Sequence, residues 1–143
     1  MASIKDIQEE IIEEFSFYDD WTEKYEYIIE LGKDLAPMNE LNRIDDNIIK
    51  GCQSKVWIAC SQQEDQLVFE ADSDAIIVKG LIALLVRVYN QKSIKAILEE
   101  PLYFIDKIGM ANHLSPTRSN GLLAMVKQIK FYAVAFQAKL NED

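Results

Sequence analysis

The chain has 143 residues, 49% hydrophobic and 27% charged, which suits one globular domain with a sizeable core and argues against disorder. Its net charge of −9 is uneven, because residues 1–46 hold 14 acidic and 4 basic residues while the remainder nets +1. Such a chain is repelled by phosphate backbones, so nucleic-acid binding is disfavoured; the acidic part serves solubility or faces a basic partner.

Met1-Ala2-Ser3-Ile4-Lys5-Asp6 leads straight into acidic helix-like sequence rather than a secretory leader. Ile4, Ile7, Ile11, Ile12 and Phe15 recur at helical spacing behind Ser3 as N-cap. Asp6, Glu9, Glu10, Glu13 and Glu14 fall on the other face, either a solvated face or a docking face for a basic partner. A second helix is capped by Asp19 or Asp20 and carries the stripe Trp21, Tyr25, Ile28, Ile29 and Leu35. Gly32 weakens its last turn, and Pro37 and Asn39 end it. Residues 37–47 read as a long loop in which Arg43 and Asn47 can brace the chain, a surface salt bridge being the plainer role for Arg43.

Lys50-Gly51-Cys52-Gln53-Ser54-Lys55-Val56-Trp57 puts a cysteine directly after a glycine, just before a strand-like run. Gly51 can turn the chain sharply and lift Cys52 onto a loop tip. The thiolate is the reactive form of cysteine, and Lys50 and Lys55 are close enough in sequence to favour it. A small buried hydrophobe is the plainer reading of any lone cysteine.

Residues 54–61 alternate as a strand, with Val56, Ile58 and Cys60 on one face and Trp57, Ala59 and Ser61 on the other. Cys60 therefore reads as a buried structural thiol. After a turn at 62–65, residues 66–71 form a second strand in an antiparallel hairpin, and Ile48 and Ile49 add a short third. Asp74 reads as the N-cap of a helix over 75–89, so apolar that it is central and backs the hairpin. Gly80 within it permits close packing. Ser93 caps a short helix through Leu98, and Pro101 starts another that ends near Gly109. His113 follows in a loop, as a structural hydrogen-bonding group or a ligand or base. Ser115 and Pro116 begin a long amphipathic helix bearing Leu122, Met125, Val126, Ile129, Ala133 and Phe136. Arg118 in its first turn opposes the helix dipole, which asks for a compensating carboxylate or the Cys52 loop. The fold class expected is α+β, with about three antiparallel strands packed against several helices.

No phosphate loop, dinucleotide fingerprint, zinc-protease pair or nucleophile elbow is present. The longest apolar stretch, 75–88, is interrupted by Lys79 and Arg87 and is too short to span a bilayer, so no membrane is expected. Two cysteines eight positions apart make no disulfide framework, which suggests a reducing, cytoplasmic setting. One reading of the chemistry is a metal site using Cys52, His113 and a carboxylate such as Asp74, although these are few ligands for zinc. Another is a regulatory binding module with inert cysteines.

The run Asn47 to Trp57 closely resembles the active-site segment of the SufE family of sulfur-acceptor proteins in iron–sulfur cluster assembly. Three further runs fit the same family in the same order: Trp21 to Gly32, Asp72 to Leu81, and His113 to Leu122. Arg43 and Asn47 stand where the family pattern has an arginine and an asparagine, whereas Lys50 and Lys55 stand where members vary.

The resemblance implies a single SufE-like domain over 1–143 with the SufE/IscU-like fold. It implies that Cys52 takes persulfide sulfur from a pyridoxal-phosphate cysteine desulfurase (SufS-like), stimulates that enzyme, and passes the sulfur to an iron–sulfur scaffold complex (SufBCD-like). Gly51, Gln53, Ser54, Asp74, Arg118 and His113 would support Cys52, with Asp74 and Arg118 near its loop. Cys52 would be sheltered in the free protein, on a loop that moves on docking. No cofactor or metal of its own is implied, and the chain would be a monomer or weak homodimer rather than a stand-alone enzyme.

Overall fold

The computed structural model describes residues 2–141; Met1, Glu142 and Asp143, the ends of the expected domain, lie outside the described residues. Helix α1 (Ile4–Ser16) starts on Ser3, whose hydroxyl accepts from the Asp6 N–H while the Asp6 carboxylate accepts from the Ser3 N–H. Its acidic face is only partly solvated. Arg87 donates two hydrogen bonds to the Glu14 carboxylate, at 2.8 and 2.5 Å, and Tyr27 donates a third. Chiefly through Arg87, this holds the Glu14 carboxyl below its ordinary range.

Asp20 is the residue that caps α2 (Trp21–Lys33). Ile28 and Gly32 are its buried positions, and of the expected stripe Trp21, Tyr25 and Leu35 also pack against the core, joined by Tyr27 and Leu31, whereas Ile29 lies on a surface hollow with Tyr18. Helix α2 meets the central helix α3 (Ile76–Tyr89) backbone to backbone. A Cβ on Gly80 would lie 2.1 Å from the Ile28 carbonyl oxygen, and one on Gly32 would lie 2.8 Å from the Gly80 nitrogen. Both glycines are thus required by the crossing, and Gly32 does more than fray the end of its helix.

Strands β1 (Val56–Gln63) and β2 (Gln66–Ser73) form the hairpin, with Val56 opposite Ser73 and Cys60 opposite Phe69. The third strand is β3 (Lys92–Ser93), antiparallel to β2, not Ile48–Ile49. Ile48 makes one bridge to Trp57 before the chain leaves the sheet edge to turn at Gly51. Val56, Ile58, Leu67, Phe69 and Ala71 join one buried cluster with α3 and with α6 (Pro116–Asn141). Cys60 shares this face but is only half-buried at the edge of the cluster, as is Tyr132, whose hydroxyl donates to the Ile58 carbonyl at 3.1 Å. On the opposite face Trp57 is buried as well, because Arg43 lies 4.3 Å over its ring.

The 37–47 loop is fastened to that outer face. Its two 3-10 turns are Glu40–Asn42 and Asp45–Asn47. The Glu70 carboxylate accepts from the Asn39 N–H at 2.9 Å and from the Asn42 amide at 2.6 Å. Arg43 pairs with Asp72 at 3.1 Å, and the Asn47 amide donates to the Asn42 carbonyl at 2.7 Å. Arg43 is therefore both a salt bridge and a brace.

Ser93 caps α4 (Ile94–Glu99), as the sequence predicts. Helix α5 (Phe104–Lys107) is shorter than Pro101 suggests, starting three residues later. The fully buried Gln8 explains its position: its amide donates to the Pro101 carbonyl at 3.0 Å and accepts from the Tyr103 and Phe104 N–H groups. Gly109, at φ +78°, then turns the chain toward α6, which starts on Ser115 as that residue's hydroxyl accepts from the Arg118 N–H. Among the described residues no helix is long and apolar enough to cross a membrane.

Candidate functional site

Cys52 lies in the turn between the Ile48 bridge and β1, and two constraints set that turn. At its start Gly51 takes φ +96°, a conformation that strains any side-chain-bearing residue. At its end Lys55 is held by the residues just before α3. The Asp74 carboxylate accepts from the Lys55 N–H at 3.1 Å, and the Lys55 carbonyl accepts from the Asp74 N–H and from the Ser73 hydroxyl. Asp74 is therefore not the N-cap of α3. That position falls to Ala75, which has no side-chain cap, because the Asp74 carboxylate is turned toward the entry of β1.

The Cys52 thiol points at α6. Its Sγ donates to the Gly121 carbonyl at 3.6 Å and would lie 3.5 Å from a Cβ at Gly121. A Cβ there would meet the sulfur at ordinary van der Waals distance, so the thiol lies in contact with the second turn of α6 whether or not that residue is glycine. The surrounding cavity measures about 860 Å³. Ile77, Val78, Leu81 and Met125 give it an apolar wall, and Gln53, Ser54, Asp74, Thr117 and Arg118 give it a polar rim. Burial pushes the Cys52 thiol above its ordinary pKa, with no offsetting pull from Lys50, Lys55 or Arg118. The nearness of the lysines in sequence does not translate into a stabilised thiolate here. At neutral pH the seated side chain is a protonated thiol.

Of the residues singled out from sequence, Cys52, Gln53, Ser54, Asp74 and Arg118 line one cavity. Gly51 backs the loop and lines the neighbouring groove. Arg118 is exposed and forms no ion pair among the described residues, so no carboxylate compensates its position at the helix start. His113 is not brought to the site. Its ring stacks on Trp21 with centroids 4.3 Å apart, and its carbonyl accepts from the Tyr25 hydroxyl. The Cys52–His113–Asp74 metal set is therefore not assembled, and no group of three His, Cys, Asp or Glu suited to a metal occurs among the described residues. Thr117 and Gly121 join the site without an individual role legible in the sequence. A glycine inside an otherwise helical run is the available signal for Gly121.

Three comparisons bear on this geometry. A sequence model of the SufE family, described as an Fe-S metabolism associated domain, matches residues 9–133. A protein of Rhizobium meliloti (strain 1021), described as an uncharacterized SufE-like protein, is 42% identical over 127 residues, spanning 85% of this chain and 91% of that one. The solution structure of a hypothetical protein from Thermus thermophilus superposes with a TM-score of 0.74 at 18% identity, covering 90% of this chain and 94% of the other. At that identity the likeness concerns the α+β fold alone.

Proposed function

The chain belongs to the SufE family and has a role in iron–sulfur metabolism, and on that premise we propose that Cys52 accepts and carries persulfide sulfur. The Cys52 thiolate attacks the outer sulfur of a persulfide held on the cysteine of a pyridoxal-phosphate cysteine desulfurase. A new S–S bond forms on Cys52 as the donor's S–S bond breaks, and the donor cysteine leaves as a thiolate with the bonding pair. The proton lost by Cys52 compensates that thiolate or passes to solvent, and no net oxidation occurs. A later thiol-accepting step hands the outer sulfur to a scaffold that assembles iron–sulfur clusters.

The observation that carries this reading is the seat of Cys52. A half-buried thiol on a turn, held by a backbone carbonyl in an open cavity, is poor as a nucleophile where it lies and good as protected cargo. The reaction therefore requires the 50–55 turn to lift away from α6 on meeting the donor. Arg118, Thr117 and the N-terminal end of α6 rim the space that an anionic sulfur would cross, with the favourable sign of charge. Asp74 holds the far end of the turn as a positioning residue.

Intact-protein mass spectrometry after mixing with a cysteine desulfurase and free cysteine tests the assignment. One sulfur is expected on the wild type and on Cys60→Ser, and none on Cys52→Ser. Sulfur gained by Cys52→Ser, or lost from Cys60→Ser, would assign the nucleophile elsewhere.

A further inference from the structure

The first turns of α6 carry the Gly121 carbonyl on which the Cys52 thiol rests, and open space borders them. Thr117, Arg118 and Gly121 line the Cys52 cavity. Ser119 and Val126 line a second cavity, of about 360 Å³, together with Leu102, Ile105 and Leu114. Asn120, Ala124 and Lys127 line a third, of about 730 Å³. At about 100° per residue these sets fall on three sides of the helix. Leu122 and Met125 reach the core, but side chains that border voids hold a helix less firmly than close packing does. The segment that leads into α6 therefore has a large part in setting where the helix starts.

That segment is fastened to α2. Gly109, at φ +78°, turns the chain into a 3-10 turn, Met110–Asn112, and His113 follows it. The His113 ring stacks on Trp21 with the planes 19° from parallel. Its carbonyl accepts from the Tyr25 hydroxyl, so the ring and the backbone of one residue are both held by α2. Trp21 offers a fixed surface: it packs against the core, its ring centroid lies 5.6 Å from that of Tyr25, and the Lys24 ammonium stands 4.9 Å over it. Two residues beyond His113, Ser115 caps α6. His113 is exposed, so the stack rather than burial accounts for the place of its ring.

We infer that His113 is a positioning residue for Cys52. Its stack on Trp21 and its tether to Tyr25 fix where α6 begins, and with it the Gly121 carbonyl and the rim formed by Thr117 and Arg118. His113 lies outside the Cys52 cavity and acts through the helix. Cutting the stack lets the start of α6 drift from the turn, so the thiol leaves its seat more often. The effect on carried sulfur rests on the sulfur-acceptor reading; the effect on the resting thiol does not.

The test is the alkylation rate of Cys52 in the native protein, followed by peptide mass spectrometry, for wild type, His113→Ala, His113→Phe, His113→Gln and Tyr25→Phe. His113→Ala is expected to label about two- to tenfold faster, the factor that loss of one aromatic pair corresponds to. His113→Phe keeps a ring for Trp21 and should restore the wild-type rate, whereas His113→Gln keeps polarity without a ring and should not. Tyr25→Phe leaves the stack and removes the tether, and should label faster than wild type by a smaller factor. Cys60 labelling should stay at its wild-type rate in all four. Wild-type labelling of Cys52 in His113→Ala overturns the proposal, and so does rescue by glutamine but not by phenylalanine. Cys52 and Cys60 speeding up together would make His113 a support of the whole fold and overturn it too. After loading by a cysteine desulfurase with free cysteine, the outer sulfur should be lost to dithiothreitol in the same order of rates, leaving as hydrogen sulfide while the dithiol closes to its disulfide. Loss that ignores this order overturns the effect on carried sulfur. A wild type that gains no sulfur refutes the carrier reading, while labelling of the unloaded proteins still judges His113.

Discussion

Cys52 and Cys60 stand eight positions apart in sequence, both half-buried, both with thiols pushed up by burial. Their backbones are held in opposite ways. Cys60 is in the middle of β1, paired to Phe69 and packed against the core, so exposing its sulfur further means parting the sheet from what covers that face. Cys52 is in a turn anchored at its ends, by the left-handed Gly51 and by the Asp74–Lys55 contact, with its sulfur resting on a weak S–H···O bond to Gly121. Resting acidity does not distinguish the two, and the proposed role of Cys52 does not rest on it. It rests on how the backbone is held: a turn anchored at its ends can open locally, which draws on a far smaller free energy than global unfolding.

The largest expected effect is in the pH dependence of alkylation. Burial raises the Cys60 thiol to about 12, so at pH 9 only about a thousandth of it is thiolate even when reagent reaches it. Cys52 is raised as well, so its labelling rate should go on rising beyond the pH at which a free cysteine levels off. In the native protein Cys52 should label much faster than Cys60 across this range, and in denaturant the two should converge. Equal native rates would mean that the turn and the strand open alike, and the comparison would collapse.

Gly51→Ala sharpens it next. Forcing a side chain to φ +96° costs about 1–2 kcal/mol, and the strain is confined to the turn. A modest fall in melting temperature is expected, with faster labelling of Cys52 and unchanged labelling of Cys60. A variant that slows Cys52 labelling would show that the turn already opens through a conformation alanine disfavours.

Much of this arrangement is legible in the sequence, for reasons that also explain what is not. The Ser3 and Ser115 caps, the hairpin and its faces, and the packing role of Gly80 all follow from local chemistry or short periodicity. Gly32 could be read only as a weak helix end, because its partner Gly80 is 48 positions away and no periodicity links them. A two-residue strand such as Lys92–Ser93 is too short to alternate. Within the cavity, the nearness of Asp74 and Arg118 to Cys52 came from the family resemblance, while the Gly121 seat depends on how α6 crosses the turn. Charge proximity in sequence misled at Lys50 and Lys55, since desolvation outweighs lysines that do not reach the sulfur.

The smallest effect, and the most discriminating, belongs to Asp74. As an N-cap its loss would cost about 1 kcal/mol of global stability and leave the turn alone. As the structure has it, Asp74→Ala removes the acceptor for the Lys55 N–H, a group exposed enough for water to replace the lost partner. The equilibrium cost is then at or below about 1 kcal/mol, the net worth of one ordinary hydrogen bond. Its consequence is local: the Lys55 carbonyl keeps its bonds from the Asp74 N–H and the Ser73 hydroxyl, but a turn loosened at the Lys55 N–H opens more often, so Cys52 should label faster while Cys60 and the melting temperature barely change. Helix-wide loss of stability with unaltered Cys52 labelling would restore the capping role and remove the Asp74 carboxylate from the anchors of the turn. Faster labelling without destabilisation would identify the Asp74–Lys55 contact as the latch of the Cys52 turn.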